Sequence, residues 1–157
     1  MVLSDTMANL INSQIAHELG NELQYRMVSS WAANQWLKGI AEYFKSQADG
    51  EKEHANKFTE YLLTANVPVQ IPAIEKRVTT FTDCEAIAQL YQETEAATTD
   101  LIDKMQDLAS EEDDYGTAQF LDWFSGEQIE EMGSAERFSN LVKLANGDLL
   151  KLDLMLR

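Results

Sequence analysis

Glu18 stands 33 residues before Glu51, which opens the run Glu51-Lys52-Glu53-His54. Glu95 stands 33 residues before Gln128, which opens Gln128-Ile129-Glu130-Glu131. Residues at such a separation face each other when two helices are joined as a hairpin. An i, i+3 pair on a helix aims both of its groups at the same spot. The chain therefore sets one carboxylate against a two-ligand pair, and does so twice, which is how a helical bundle assembles a site for two metal ions. Carboxylates with a single imidazole are oxygen-rich donors that suit Fe(II) or Mn(II) better than a structural zinc.

Four long helices and a short one are needed to position these groups. The first is expected from Ser4 to Leu37, with a turn at Lys38-Gly39, and the second from Ile40 to Ala65. The stretch from Asn66 to Thr82 holds both prolines, Pro68 and Pro72, and has no helical period, so it reads as a long crossover. Thr82 followed by Glu85 has the form of a capping box for a third helix, which should end within Ser110–Asp114. A fourth spans Thr117 to Ala145, and after Asn146-Gly147-Asp148 comes a short apolar tail helix, Leu149 to Leu156. Helix, turn, helix, crossover, helix, turn, helix is an all-α four-helix bundle with one long crossover.

The core stripes agree. The second helix steps Phe44, Ala48, Glu51, Ala55, Phe58, Leu62, and the third Tyr91, Glu95, Thr98, Ile102. The fourth gives Leu121, Phe124, Gln128, Glu131, Ala135, Phe138; in the first, Met7, Ile11, Glu18, Tyr25 and Ala32 share a face. Each stripe is apolar except at mid-length. A single Glu there would most simply mean a misphased helix, since Glu is a surface residue. Five matched positions do not reduce to that. Unpaired carboxylates in a core are costly and escape by protonation or a partner; no Lys or Arg falls on the stripes at that level, so the like charges repel strongly unless cations sit between them. Gly50, Gly126 and Gly133 lie inside the helices, and Asp49-Gly50 is the point where a break is most readily placed.

Composition bounds the rest. At 157 residues and 45% hydrophobic, the chain makes one domain over residues 1–157 with a real core. The net charge of −15 argues against nucleic acid and anionic membrane surfaces as partners. One cysteine, Cys84, allows no intrachain disulfide; with no membrane-length apolar run and no signal-like start, the expectation is a soluble cytoplasmic protein. His17, beside Glu18 and about 100° round the helix, is expected at the surface. Tyr25 lies two turns from Glu18 on the same face, where core packing and a redox role are equally open. The acidic run Glu111–Asp114 reads as a solvated loop, or as an opening that draws in cations.

The whole chain resembles the ferritins, in particular the haem-free ferritins of bacteria. Glu18, Glu51-x-x-His54, Glu95 and Gln128-x-x-Glu131 match that family's diiron ferroxidase residues in order and spacing, and Tyr25 and Trp123 match as well. Bacterioferritins are similar but carry a second Glu-x-x-His and bind haem through a Met where this chain has Lys52, so the resemblance implies no haem. Glu127 and Glu130 match a third iron site, but Gly50 stands where a Glu is often found, which implies a weaker or altered third site. The resemblance further implies that Glu51 bridges two irons, with Glu18 and His54 on the first and Glu95 and Glu131 on the second. Gln128 would bind weakly or hydrogen-bond an oxygen species. Iron and O2 would be the substrates, and the mineral would be held in a shell of twenty-four identical subunits. A plastid protein of an alga with its transit peptide removed would read the same way. Other readings are a rubrerythrin-like diiron oxidase or peroxidase, usually marked by a Cys-rich iron domain, a smaller DNA-protecting ferritin, and a metal-free helical interaction protein.

Overall fold

The computed structural model describes residues 2–157. Its elements are α1 (Asp5–Asn34), α2 (Lys38–Thr64), α3 (Cys84–Glu111), α4 (Tyr115–Leu144) and α5 (Leu149–Met155), with no strand among the described residues. α1 pairs with α2, and α3 with α4; the segment from 65 to 83 crosses between the pairs without regular structure. No helix is long and apolar enough to cross a membrane among the described residues.

Four of the five helix starts, all but that of α2, are capped by a side chain. Ser4, Asp83, Asp114 and Asp148 accept hydrogen bonds from the backbone N–H groups of Met7, Ala86, Thr117 and Lys151, satisfying donors that have no partner within the helix. The cap of α3 is thus Asp83, not the expected Thr82. Each long helix ends the same way. Trp36, Asn66, Asp113 and Asn146 take left-handed backbone angles, φ between 52° and 62°, one residue past the cap. The following N–H folds back five residues, as in Leu37 N–H to the Ala32 carbonyl (3.0 Å) and Gly147 N–H to the Val142 carbonyl (3.1 Å).

The first turn is therefore Gln35-Trp36-Leu37, not Lys38-Gly39, which begins α2. Gly39 has a different task. A Cβ there would collide with the backbone carbonyl oxygen of Asp153, so glycine is what lets α5 lie against the start of α2. Asp153 is fully buried; Oδ1 accepts the Ile40 N–H at 2.8 Å and Oδ2 pairs with Arg157 at 2.9 Å. α2 and α4 run unbroken through Gly50 and Gly126, whose missing side chains face open space.

Two of the polar residues that α1 buries, Asn12 and Gln24, are satisfied by the crossover, which lies along it. Asn12 accepts from the Gln70 N–H (2.6 Å) and donates to the Pro68 carbonyl; Gln24 brackets Val78 by both its N–H and its carbonyl. The apolar core divides into two bodies, one around Phe44, Tyr91 and Phe138 and one around Phe58, Ile102 and Phe124. Between them lies a polar layer.

Candidate metal centre

Every long helix contributes to that layer. α1 supplies Glu18, α2 supplies Glu51 and His54, α3 supplies Glu95, and α4 supplies Gln128; all five are buried, while Glu131 on α4 is half-buried. His54 is the hinge of the arrangement. Its Nδ1 lies 3.7 Å from Glu18 Oε2 and 3.6 Å from Glu51 Oε2, and its Nε2 lies 3.6 Å from Glu127 Oε1. These separations are too long for hydrogen bonds. Two sets of donor atoms each lie within 4.8 Å of one another: Glu18, Glu51 and His54, and His54, Glu127 and Glu131.

Glu95 is brought to the layer but joins neither set. Its Oε1 accepts the Tyr25 hydroxyl at 2.6 Å and its Oε2 the Gln128 amide at 3.2 Å. The same amide nitrogen lies 3.2 Å from the Thr99 hydroxyl. Tyr25 thus packs in the core with its hydroxyl on a carboxylate, that of Glu95 on α3 and not of Glu18 on its own helix. Glu127 sits at the edge of the layer, and Glu130 is exposed and outside both sets. His17 departs from expectation: it is half-buried, its Nε2 2.7 Å from the Thr98 hydroxyl. Gln14, one turn before Glu18, is not singled out by the ligand spacing, yet its amide donates to Glu18 Oε1 at 3.0 Å.

The unpartnered atoms are informative. Glu18 Oε2, Glu51 Oε2, His54 Nδ1 and Glu131 Oε2 are buried and have no hydrogen-bond partner. A buried polar atom without a partner costs about 1–3 kcal/mol, more when charged, and native proteins rarely leave one. Four converging in one layer fit positive ions held between them, and the donor set, oxygen with one imidazole, suits Fe(II).

Burial pushes the Glu51 carboxyl well above the ordinary carboxylate range, with the charges of Glu18, Glu95 and Glu131 adding to the effect. Glu18 goes the other way: burial opposes ionisation, but donation from Glu51, the nearby His54 and the Gln14 amide hold it below its usual value. Burial also raises Glu95, and it lifts Glu131, beside the charge of Glu95, to about 7. Without cations the layer holds protons where a metal would otherwise neutralise charge.

Around His54 the wall is aromatic. Trp123 and Phe124 meet the imidazole edge-on at 5.7 and 5.9 Å between centroids, and the Lys57 ammonium lies 4.1 Å over the Trp123 ring.

Residues 8–145 match the family described as the ferritin-like domain. The chain belongs to the ferritin family. A bacterial non-haem ferritin of Escherichia coli is 31% identical over 134 residues, covering 83% of this chain and 79% of that protein. A ferritin of Mycolicibacterium smegmatis is 29% identical over 144 residues, covering 92% and 80%. Among solved structures, the open-pore ferritin of the hyperthermophilic archaeon Archaeoglobus fulgidus superposes with a TM-score of 0.93 at 28% identity, covering 98% of this chain and 97% of that one. The fold is that of a ferritin, with the four-helix bundle and short C-terminal helix expected of one.

Proposed function

We propose that this ferritin stores iron and is a ferroxidase, oxidising Fe(II) with O2 at a dinuclear site within each subunit and passing Fe(III) to a mineral inside a homo-oligomeric shell. The observation that carries this reading is the set of four unpartnered, buried donor atoms on Glu18, Glu51, His54 and Glu131. Glu51 feels the charges of both Glu18 and Glu95, as a carboxylate bridging two ions would. Glu95, aimed by Tyr25 and Gln128, is the ligand that completes the second ion with Glu131.

Two Fe(II) ions side by side can give dioxygen two electrons together, so the product is peroxide and not superoxide. Protons held by Glu51 and Glu131 leave as iron binds, and Fe(III) then hydrolyses with further proton release. Glu127, at the edge beside His54, is proposed to receive iron leaving the pair; Glu130, outside the layer, belongs with it on the exposed side. Lys52 is exposed and offers no haem ligand, in keeping with a haem-free protein. The proposed shell has twenty-four subunits. Its contacts would cover apolar side chains such as Trp36, Leu150 and Leu154, which are 78%, 59% and 56% exposed in the single subunit.

Aerobic Fe(II) titration by stopped-flow absorbance tests the reading. A fast phase should saturate near about two irons per subunit, followed by slower mineral growth. Glu51→Ala should abolish the fast phase because its carboxylate serves both ions. Parent-rate oxidation by that variant would refute the site.

A further inference from the structure

A continuous aromatic path leaves the metal layer and ends at a tyrosine with its own proton acceptor. From His54 the rings run to Trp123 (5.7 Å), Trp123 to Phe124 (4.9 Å), Phe124 to Phe120 (5.4 Å), and Phe120 to Tyr61 (4.0 Å, stacked within 12°). The Tyr61 hydroxyl lies 2.7 Å from Thr117 Oγ1, and Thr117 Oγ1 lies 2.5 Å from Asp114 Oδ2. A carboxylate only accepts, so the Thr117 hydroxyl donates to Asp114 and the Tyr61 phenol donates to Thr117. Thr117 is fully buried and Asp114 is half-exposed, so a proton passed along this line emerges where solvent can take it.

We propose that Tyr61 is a redox-active tyrosine of this ferritin, supplying an electron to the metal layer through Trp123 while its phenolic proton moves through Thr117 to Asp114. The inference rests on the ferroxidase reading. Oxidising a phenol makes it a strong acid, so the electron leaves readily only where the proton has somewhere to go. Tyr61 has that partner line. Trp123 does not favour holding the oxidised state, because the Lys57 ammonium over its ring repels a positive charge on the indole. The path therefore has a direction: an electron drawn from Trp123 is replaced from Tyr61.

The step balances with hydrogen peroxide, the two-electron product of O2, as oxidant. One Fe(II) and one Tyr61 phenol each give one electron; the O–O bond breaks and, with two protons from solvent, two waters form. The products are Fe(III), a neutral Tyr61 phenoxyl radical and protonated Asp114. Peroxide is thereby removed without releasing hydroxyl radical.

The test is rapid-freeze electron paramagnetic resonance on the Fe(II)-loaded, assembled protein mixed with hydrogen peroxide. It is done in a Tyr25→Phe background with ring-deuterated tyrosine to identify the radical. A tyrosyl signal should form and fall several-fold on Tyr61→Phe. Thr117→Val, which keeps the shape but removes the proton acceptor, should lower it likewise, and Thr117→Ser should restore it. Lys57→Gln should shift spin onto tryptophan. A tyrosyl signal indifferent to Tyr61→Phe and Thr117→Val, in a protein that still oxidises iron, would overturn the relay alone. A parent protein that leaves Fe(II) unoxidised would overturn the ferroxidase reading and the relay with it.

Discussion

Tyr25 on α1 and Glu95 on α3 meet through a 2.6 Å hydrogen bond between two side chains with no exposure to solvent. The phenol fixes one carboxylate oxygen while the Gln128 amide fixes the other, so Glu95 is oriented before any ion arrives. Tyr25→Phe keeps the ring packed against Phe44 and Tyr91 and removes only the donor. Denaturant unfolding of the metal-free variant should show a loss of about 1–3 kcal/mol, as for a hydrogen bond to an ionisable group. Iron should still bind, with the transient tyrosyl signal reduced and later turnovers slowed. Parent-like kinetics with an unchanged radical would leave Tyr25 a packing residue.

Stability of the metal-free protein should depend on pH in a definite sense. Glu131 has a folded-state pKa raised from 4.5 to about 7, and Glu51 is raised too. The folded state then holds more protons than the unfolded chain between those values. Stability contributed by the protonated carboxyls is present below pH 4.5 and lost as pH rises toward 7. Metal affinity should move oppositely, strengthening over the same window because the ligands must give up protons. Thermal unfolding with and without a divalent cation across this range measures both. A metal-free protein that gains stability as pH rises through the window would contradict the assignment of these protons.

Gly50 faces open space, and nothing would meet a side chain there. Gly50→Glu should fold at least as well as the parent, since a mid-helix glycine costs about 1 kcal/mol relative to alanine. It should also add a carboxylate beside the layer. We expect equilibrium iron binding to rise above the parent's saturating value. Unchanged stoichiometry in a well-folded variant would separate Gly50 from the altered third site.

The docking of α5 is tested at Asp153. Its removal leaves the Ile40 N–H without an acceptor and Arg157 without its ion-pair partner. Asp153→Ala should destabilise the subunit by about 1–3 kcal/mol. Hydrogen exchange should show the added opening in α5 and the first turn of α2, with the metal layer protected as before. Protection unchanged at both places would mean that Leu152 alone holds the helix.

The bundle and its polar layer were legible in the sequence because both rest on periodicity. A hairpin of long helices ties residue 18 to 51 and 95 to 128 whatever the turn does, and two prolines four apart exclude a helix from the crossover. What was not legible depends on contacts between segments far apart in sequence. Glycine is the usual mark of a left-handed helix end and points to a first turn at Lys38-Gly39; here Trp36 takes that role, and Gly39 serves the approach of Asp153 instead. The half-burial of His17 is not legible from its own helix because Thr98, which bonds it, lies on α3. The orientation of Glu95 depends on Tyr25 and Gln128, and spacing gives a residue's place in a layer but not which way its carboxylate turns.

Anomalous diffraction at the iron edge, on crystals soaked aerobically in Fe(II), tests the central claim most directly. Two iron peaks should lie within each subunit, one ligated by Glu18 and His54, one by Glu95 and Glu131, with Glu51 between them. Iron confined to surface carboxylates, with the layer formed by Glu18, Glu51, His54, Glu95 and Glu131 free of it, would contradict the account.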